Sequence, residues 1–173
     1  MHKEEFAALP PYVIEFLNYL SVVKSKSELT VLEYASDLRL FFRFLSVYRG
    51  LVPKDSDFEE IAIDFIDLEF IKTVKIADAY AFLSYCRSER QNNDAAIARK
   101  VSSIRAFFKY LHVKIKVIPE NPMEELESPK QKKSLPKLKI FSMFSKRNNT
   151  TISFLIYYLP ESQGTVLCLD FLF

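Results

Sequence analysis

The chain has 173 residues, which is enough for one domain of ordinary size or for a small domain with a tail. Hydrophobic residues make up 49% of it, so a packed core is expected, and the net charge of +2 is too small by itself to indicate a partner. Only 2 residues are glycine, which excludes a Gly-rich phosphate loop and a dinucleotide-binding fingerprint. The composition therefore favours helices.

Cysteine usage and hydropathy narrow the class of protein further. The two cysteines, Cys86 and Cys168, are too few for a disulfide framework or a zinc site, and Cys86 lies in an apolar stretch typical of a buried thiol. The N-terminus lacks a signal-peptide pattern, and the longest apolar run, residues 154–159, is far shorter than the roughly 20 residues that span a bilayer. We expect a cytoplasmic protein with no membrane segment, cofactor, metal or small-molecule substrate.

Hydrophobic periodicity predicts four amphipathic helices in the first 118 residues. The first runs from about Pro10 to Lys24, and the second starts after Ser27 as N-cap and ends at Gly50. The third covers about 75–90, and the fourth begins at Asn93 or Asp94. The predicted core comprises Val13, Phe16, Leu17, Leu20, Val31, Ala35, Leu38, Phe41, Phe42, Leu45, Ile76, Ala79, Tyr80, Leu83, Cys86, Ile97, Val101, Ile104, Phe107, Phe108 and Leu111. Such stripes suit a small helical bundle.

Residues 55–69, between the second and third predicted helices, contain seven acids and no base. The apolar residues Ile61, Ile63, Phe65 and Leu68 alternate with these acids, so a connector with a short helix or an extended piece is expected. Paired carboxylates could form a metal or acid–base site, but a solvated acidic connector facing away from any polyanion is the favoured interpretation.

Basic residues dominate the next part of the chain. Residues 70–118 contain ten Lys or Arg and three acids. A helical wheel places Arg99, Ser102, Ser103 and Lys109 on the polar face of the fourth helix, with Arg105 at its flank. Helices with such faces can enter a major groove and bind phosphates, although a solvated basic face on any helical domain is the alternative.

The C-terminal part has a different composition. Residues 119–137 are rich in proline and lysine, which predicts an extended basic linker between domains. Residues 138–173 carry few charges and apolar clusters without a clear period, so an irregular apolar tail is expected. We expect three parts: a helical domain over 1–118, the linker over 119–137, and a tail over 138–173 that is an out-of-frame or truncated remnant of a further domain. Its β-branched and aromatic clusters make the tail prone to aggregation.

Three stretches resemble a known family. Residues 30–45 (TVLEYASDLRLFFRFL) resemble the second helix of the core-binding domain of tyrosine recombinases, with Thr30, Tyr34 and Asp37 as markers. Residues 98–111 (ARKVSSIRAFFKYL) resemble the fourth helix of that domain. Residues 121–123 (NPM), 126–130 (LESPK) and 135–137 (LPK) are similar to its interdomain linker. The resemblance covers residues 10–137 in the right order and is closest to the Xer-type and phage-integrase branch.

The resemblance implies an all-α, SAM-like four-helix core-binding domain that clamps one side of a recombination half-site on double-stranded DNA. Other recombinase subunits are the further partners that it implies. Carried over to this sequence, the DNA contacts it implies are Lys24, Lys26, Thr30, Arg39, Arg43, Arg99, Lys100, Ser102, Arg105, Lys109, Lys130, Lys132 and Lys133. Thr30 is also a candidate for the helix cap, and Lys100 lies near the apolar edge of its wheel.

The catalytic part of the family has no counterpart in the pattern of this chain. Such enzymes cleave DNA with a tyrosine nucleophile, and several arginines, histidines and a lysine stabilise the phosphorane. The histidines here are His2 and His112, neither in a His-x-x-Arg pair, so Tyr157 and Tyr158 are not expected to be nucleophiles. We therefore expect a DNA-binding module of a site-specific recombinase that is not itself an enzyme. A helical interaction module or decoy that associates with an intact recombinase is the alternative.

Overall fold

The computed structural model describes residues 8–53, 55–129, 139–147, 150–158 and 167–170. The chain divides into two compact units, Met1–Gln131 and Lys132–Phe173. The described part of the first unit is helical, and the described part of the second consists of strands. The prediction of a helical domain in the N-terminal part is confirmed.

Five α-helices form the first unit within its described residues: α1 Pro11–Asn18, α2 Glu28–Tyr48, α3 Leu68–Lys72, α4 Ile76–Ser88 and α5 Asp94–Lys109. Single π-helical turns, Tyr19–Val23 and Tyr110–Lys114, extend α1 and α5. The four predicted helices correspond to α1, α2, α4 and α5. The short α3 lies at the end of the acidic connector.

Side-chain caps fix where three of the helices begin. Ser27 Oγ accepts a hydrogen bond from the amide of Thr30 at 3.3 Å, as the sequence predicted. Asn93, rather than Asp94, caps α5, because its Oδ1 accepts from the amide of Ala96 at 2.9 Å. Asp67 caps α3 in the same way. These bonds satisfy amides that have no partner within the helix.

Helix ends show how a chain with so little glycine closes its helices. Gly50 follows α2 with φ of +69°, the left-handed conformation that glycine adopts without strain. Ser25, Gln91 and Lys116 adopt the same region, with φ of 48°, 50° and 54°, after the ends of α1, α4 and α5. The amides of the next residues donate to carbonyls six residues earlier, each at 3.0 Å. Side chains in this conformation cost about 1–2 kcal/mol each.

Replacing Gln91 with glycine should therefore stabilise the protein. We expect Gln91→Gly to raise the free energy of unfolding by about 1 kcal/mol, because the left-handed strain is removed. Ser84→Gly, at an exposed position inside α4, is the matched control and should lower it by about 0.5–1 kcal/mol. Urea unfolding followed by circular dichroism measures both, and a loss of stability in Gln91→Gly contradicts the assignment of strain.

Phenylalanine rings form the centre of the helical unit. Phe107 of α5 packs edge-on against Phe16 of α1, Phe42 of α2 and its neighbour Phe108, with ring centroids 5.6, 5.9 and 5.4 Å apart. All four rings are buried. Every core residue predicted for the first, second and fourth helices is likewise buried. Edge-to-face contacts of this kind explain a core built from phenylalanine, since they add to the free energy of burial.

The buried face of α4 differs from the prediction. Ala79, Phe82 and Cys86 are buried, whereas Tyr80 is 47% exposed. The spacing of three and four residues between the buried positions follows one helical stripe, and Tyr80 lies about 100° away from Ala79 around the axis. The prediction that Tyr80 is buried is therefore wrong. The interpretation of Cys86 as a core thiol is confirmed, and burial raises its pKa to about 11.

The acidic connector attaches to the domain through its apolar residues. Ile61, Ile63 and Ile66 are buried, while all seven acids between residues 55 and 69 are exposed. The alternation of acidic and apolar residues thus lays this segment on the domain surface with its carboxylates outward.

The core continues beyond the predicted helical domain. Ile118, Met123 and Leu126 are buried in the same cluster as the helices, although residues 119–126 fall in the predicted linker. The amide of Glu124 donates to Asn121 O, and the amide of Leu126 donates to Met123 O, which folds the segment into turns. Apolar side chains between the prolines hold this segment against the helices.

Truncating Met123 tests whether this segment is part of the folded domain. We expect Met123→Ala to lower the free energy of unfolding by about 2–5 kcal/mol, because a fully buried side chain is removed. Glu125→Ala changes an exposed neighbour and should have almost no effect. Thermal unfolding of the two variants gives the comparison, and equal melting temperatures contradict the buried contact.

Three antiparallel strands, in the order β1-β2-β3, form the described part of the second unit. Lys139–Arg147 is β1, Thr150–Tyr158 is β2 and Leu167–Asp170 is β3. Lys139 pairs with Tyr158 and Arg147 with Thr150, while Phe154 pairs with Asp170. The strands differ from the irregular tail expected from the sequence, and the richness of this segment in β-branched and aromatic residues favours them.

Candidate nucleic-acid interface

Polar and basic side chains follow one face of α5. Ser102, Arg105 and Lys109 are exposed and line a groove of about 440 Å³, which we call the α5 groove. Its remaining lining comes from Ala106, His112, Asn121 and Glu124. His112 is fixed there by the contact of its Nδ1 with Ile118 O at 3.2 Å. The wall opposite α5 therefore belongs to the segment that folds back after the helix.

A second groove, of about 250 Å³, lies where α1 and α5 end, and we call it the terminal groove. Lys24, Lys109 and Lys114 line it, so Lys109 belongs to both grooves. The rings of Tyr19 and Tyr110 hold the two ends together, with centroids 4.9 Å apart. Burial, with the hydrogen bond from the Tyr110 hydroxyl to Glu15, raises the pKa of Tyr110 to about 12. Tyr110 is thus a neutral donor at physiological pH.

A third groove, of about 450 Å³, runs along α2, and we call it the arginine groove. Its lining includes Ser36, Arg39 and Arg43 of α2 together with Arg90. Glu59 of the acidic connector reaches into it: Glu59 Oε2 lies 2.8 Å from Arg43 Nη1, and Oε1 lies 3.4 Å from Arg90 Nη1. The acidic connector thus places one of its seven carboxylates among arginines.

The arginines of this groove are held in defined positions. Arg43 Nε donates to Ile61 O at 3.2 Å, which fixes the stem of the side chain against the connector. Arg90 lies over the ring of Phe58 at 5.8 Å. Burial lowers the pKa of Arg90, but its hydrogen bonds and charge interactions with Tyr85 and Glu59 outweigh this and raise it. Both guanidinium groups are therefore anchored on one side.

A buried carboxylate connects α2 to α5. Asp37 is 1% exposed, and its oxygens contact three side chains of α5. Lys100 Nζ donates to Oδ1 at 2.9 Å, and Ser103 Oγ donates to Oδ2 at 2.8 Å. Arg99 Nη1 lies 2.9 Å from Oδ2. Three donors around one carboxylate compensate the loss of hydration that burial imposes on its charge.

The structure brings together only some of the predicted contact residues. Ser102, Arg105 and Lys109 share the α5 groove, Lys24 joins Lys109 in the terminal groove, and Arg39 and Arg43 share the arginine groove. Lys26 is exposed in the turn before α2. Lys130, Lys132 and Lys133 lie outside the described residues.

Lys100, Thr30 and Arg99 are also predicted contact residues with partners inside the protein. Lys100 is buried against Asp37, because α5 turns this position towards α2, and it lies at the inner wall of the arginine groove. Thr30 takes part in the cap of α2 through its contact with Ser27 at 2.8 Å. Arg99 remains 32% exposed while it contacts Asp37. Arg99 thus combines a fixed position with substantial exposure.

Sequence reasoning missed Asp37, Glu59 and Arg90 as members of these surfaces. The burial of Asp37 could have been inferred, since this acid is adjacent to Leu38 on the buried stripe of α2. Nothing in the local sequence indicates the contact between Glu59 and Arg90, because these residues are 31 positions apart. In the described residues, no group of His, Cys, Asp or Glu side chains is placed to hold a metal ion. No described helix has the length and hydropathy needed to span a membrane.

Comparison with known proteins gives one family. Residues 13–62 match the family model of the phage integrase, N-terminal SAM-like domain. A tyrosine recombinase XerC from Caldanaerobacter subterraneus subsp. tengcongensis is 52% identical over 121 residues, covering 70% of this chain and 34% of the relative. A tyrosine recombinase XerD from Listeria monocytogenes is 30% identical over 124 residues, covering 72% and 35%.

A third relative extends further along the chain. A tyrosine recombinase from Pseudothermotoga lettingae is 28% identical over 151 residues, covering 82% of this chain and 46% of the relative. The chain thus spans about a third to a half of the length of the curated relatives it matches. No solved structure matches it.

Proposed function

Because this chain belongs to the tyrosine recombinase family through its N-terminal SAM-like domain, we propose that it is a DNA-binding module that acts in site-specific recombination. The observation that carries the proposal is the α5 groove, where Ser102, Arg105 and Lys109 are exposed along one helix. An α-helix fits the major groove of B-DNA, where arginine recognises guanine and serine or lysine contacts phosphate. Double-stranded DNA is therefore the proposed ligand.

The other two grooves extend the proposed contact. Lys24 and Lys114 continue the basic surface from Lys109 towards the end of α1. Arg39 and Arg43 add positive charge along α2, the second helix that the family resemblance assigns to DNA. If about six phosphates are neutralised, the logarithm of the binding constant should fall with the logarithm of salt concentration at a slope of about −5.

We assign binding rather than strand cleavage to the helical unit. The family model that matches it describes an N-terminal domain, and the chain covers 34% of the XerC relative. Cleavage by a tyrosine needs several cationic groups around one phosphate, whereas Arg43 and Arg90 are already engaged by Glu59. Binding by this unit alone should be weak, with a Kd in the nonspecific range of about 10⁻⁴ to 10⁻⁶ M.

Removing two cations from α5 tests the interface. We expect Arg99→Ala with Arg105→Ala to weaken binding to a fluorescent duplex about tenfold or more and to reduce the salt slope by about 2, because two phosphate or base contacts are lost. Fluorescence anisotropy at several salt concentrations measures both effects. Helicity should stay the same in circular dichroism spectra.

The matched control is Lys72→Ala with Arg87→Ala. It removes the same net charge from α3 and α4, outside the three basic grooves, and should weaken binding less than threefold. Equal losses in the two double variants would mean that net charge alone attracts DNA and would overturn the assignment of α5. Absence of salt-dependent DNA binding would favour a helical scaffold over a DNA-binding module.

The arginine groove gives a second test, in which the affinity for DNA is expected to rise rather than fall. Glu59→Gln removes the carboxylate that contacts Arg43 and Arg90, so a DNA phosphate can take its place, and we expect affinity to rise about threefold or more. Glu60→Gln, at the exposed neighbouring position, removes the same charge away from these contacts and should raise affinity less. The same anisotropy titration compares them, and identical gains contradict a phosphate contact in the arginine groove.

A further inference from the structure

Asp37 and Arg99 form an ion pair in addition to the one between Asp37 and Lys100. Lys100, also buried, already supplies one positive charge for the carboxylate of Asp37, with Nζ 2.9 Å from Oδ1. Ser103 adds a hydroxyl donor to Oδ2. Arg99 is thus a second cation beside an acid that Lys100 already neutralises. The three charges of Asp37, Lys100 and Arg99 therefore sum to a net positive charge, and Arg99 carries it at the exposed end.

Two acceptors on α2 fix the orientation of Arg99. Its Nη1 lies 2.9 Å from Asp37 Oδ2 and donates to Glu33 O at 3.1 Å. Both contacts use the same nitrogen of the guanidinium, which has five N–H donors in a planar fork. The remaining donors are left for a ligand at the partly exposed end of the side chain.

A fixed arginine binds differently from a flexible one. A flexible arginine loses side-chain entropy when it binds, whereas one already held in place loses little. Arg99 lies three residues before Ser102 on α5, so both side chains project from the same side of the helix, next to the α5 groove. Its anchoring therefore serves the surface proposed to bind DNA.

The geometry points to Asp37 as a positioning residue for DNA recognition: the buried carboxylate holds the guanidinium of Arg99 in the orientation that binds DNA. This inference rests on the proposed function. It makes a prediction that simple electrostatics contradicts, because removing a negative charge near DNA should strengthen binding. If Asp37 positions Arg99, removing that charge weakens binding.

The experiment keeps the buried charge balanced. Asp37→Asn alone leaves Lys100 buried without a counter-ion, so Asp37→Asn is combined with Lys100→Met and compared with Lys100→Met alone. The two variants differ only at Asp37. We expect the double variant to bind a fluorescent duplex about three- to tenfold more weakly than Lys100→Met, at a temperature where both are folded.

A double-mutant cycle identifies Arg99 as the residue through which Asp37 acts. In an Arg99→Ala background the change at Asp37 should have no further effect, whereas in an Arg105→Ala background it should keep its full effect. Glu33→Gln, which removes an exposed carboxylate but keeps the backbone acceptor, should not weaken binding.

The outcomes separate the two proposals. If the Asp37→Asn and Lys100→Met double variant binds as tightly as Lys100→Met, or more tightly, the positioning role is overturned while DNA binding stands. If the effect at Asp37 persists in the Arg99→Ala background, Asp37 acts through general structure and the inference is also overturned. If Arg99→Ala and Arg105→Ala both leave DNA binding unchanged, the proposed function of α5 itself fails.

Discussion

The buried carboxylate of Asp37 is the contact on which the arrangement of the basic surfaces depends. A charge removed from water is costly unless donors surround it, and here all three donors come from residues 99–103 of α5. Apolar side chains such as Phe42 and Phe107 tolerate small slides and rotations, but a carboxylate with three short contacts selects one position of α5 along α2. Since α5 is rigid, this choice also sets where Ser102, Arg105 and Lys109 face. The position of α5 that satisfies the buried charge of Asp37 is thus also the position that forms the α5 groove.

The small net charge of the chain conceals a separation of charge. All seven acids of the connector are exposed, and one of them, Glu59, neutralises arginines of the arginine groove. The α5 groove has Glu124 at its wall but no ion pair to Arg105 or Lys109 among the described residues. A polyanion would therefore contact the cations of the α5 groove directly, whereas in the arginine groove it would compete with Glu59 for the arginines.

Much of the fold could be predicted from periodicity, because the relevant interactions are local. The stripes of α1, α2 and α5 and the Ser27 cap depend on residues three or four apart, and all are confirmed. Lys100 could not be placed, since a helical wheel treats lysine as solvated unless the buried acid 63 residues away is known. The burial of Met123 could not be predicted either, since the surrounding sequence is rich in proline, which is typical of linkers. The resemblance to a family identified the domain, but its pattern did not separate contacts with DNA from contacts within the protein.

The segment after α5 couples the fold to the proposed binding surface. Ile118, Met123 and Leu126 anchor it in the core, and this anchoring places Asn121 and Glu124 opposite Arg105 and Lys109. The groove therefore exists only while the segment is docked, so residues that resemble an interdomain linker also shape the surface proposed to bind DNA.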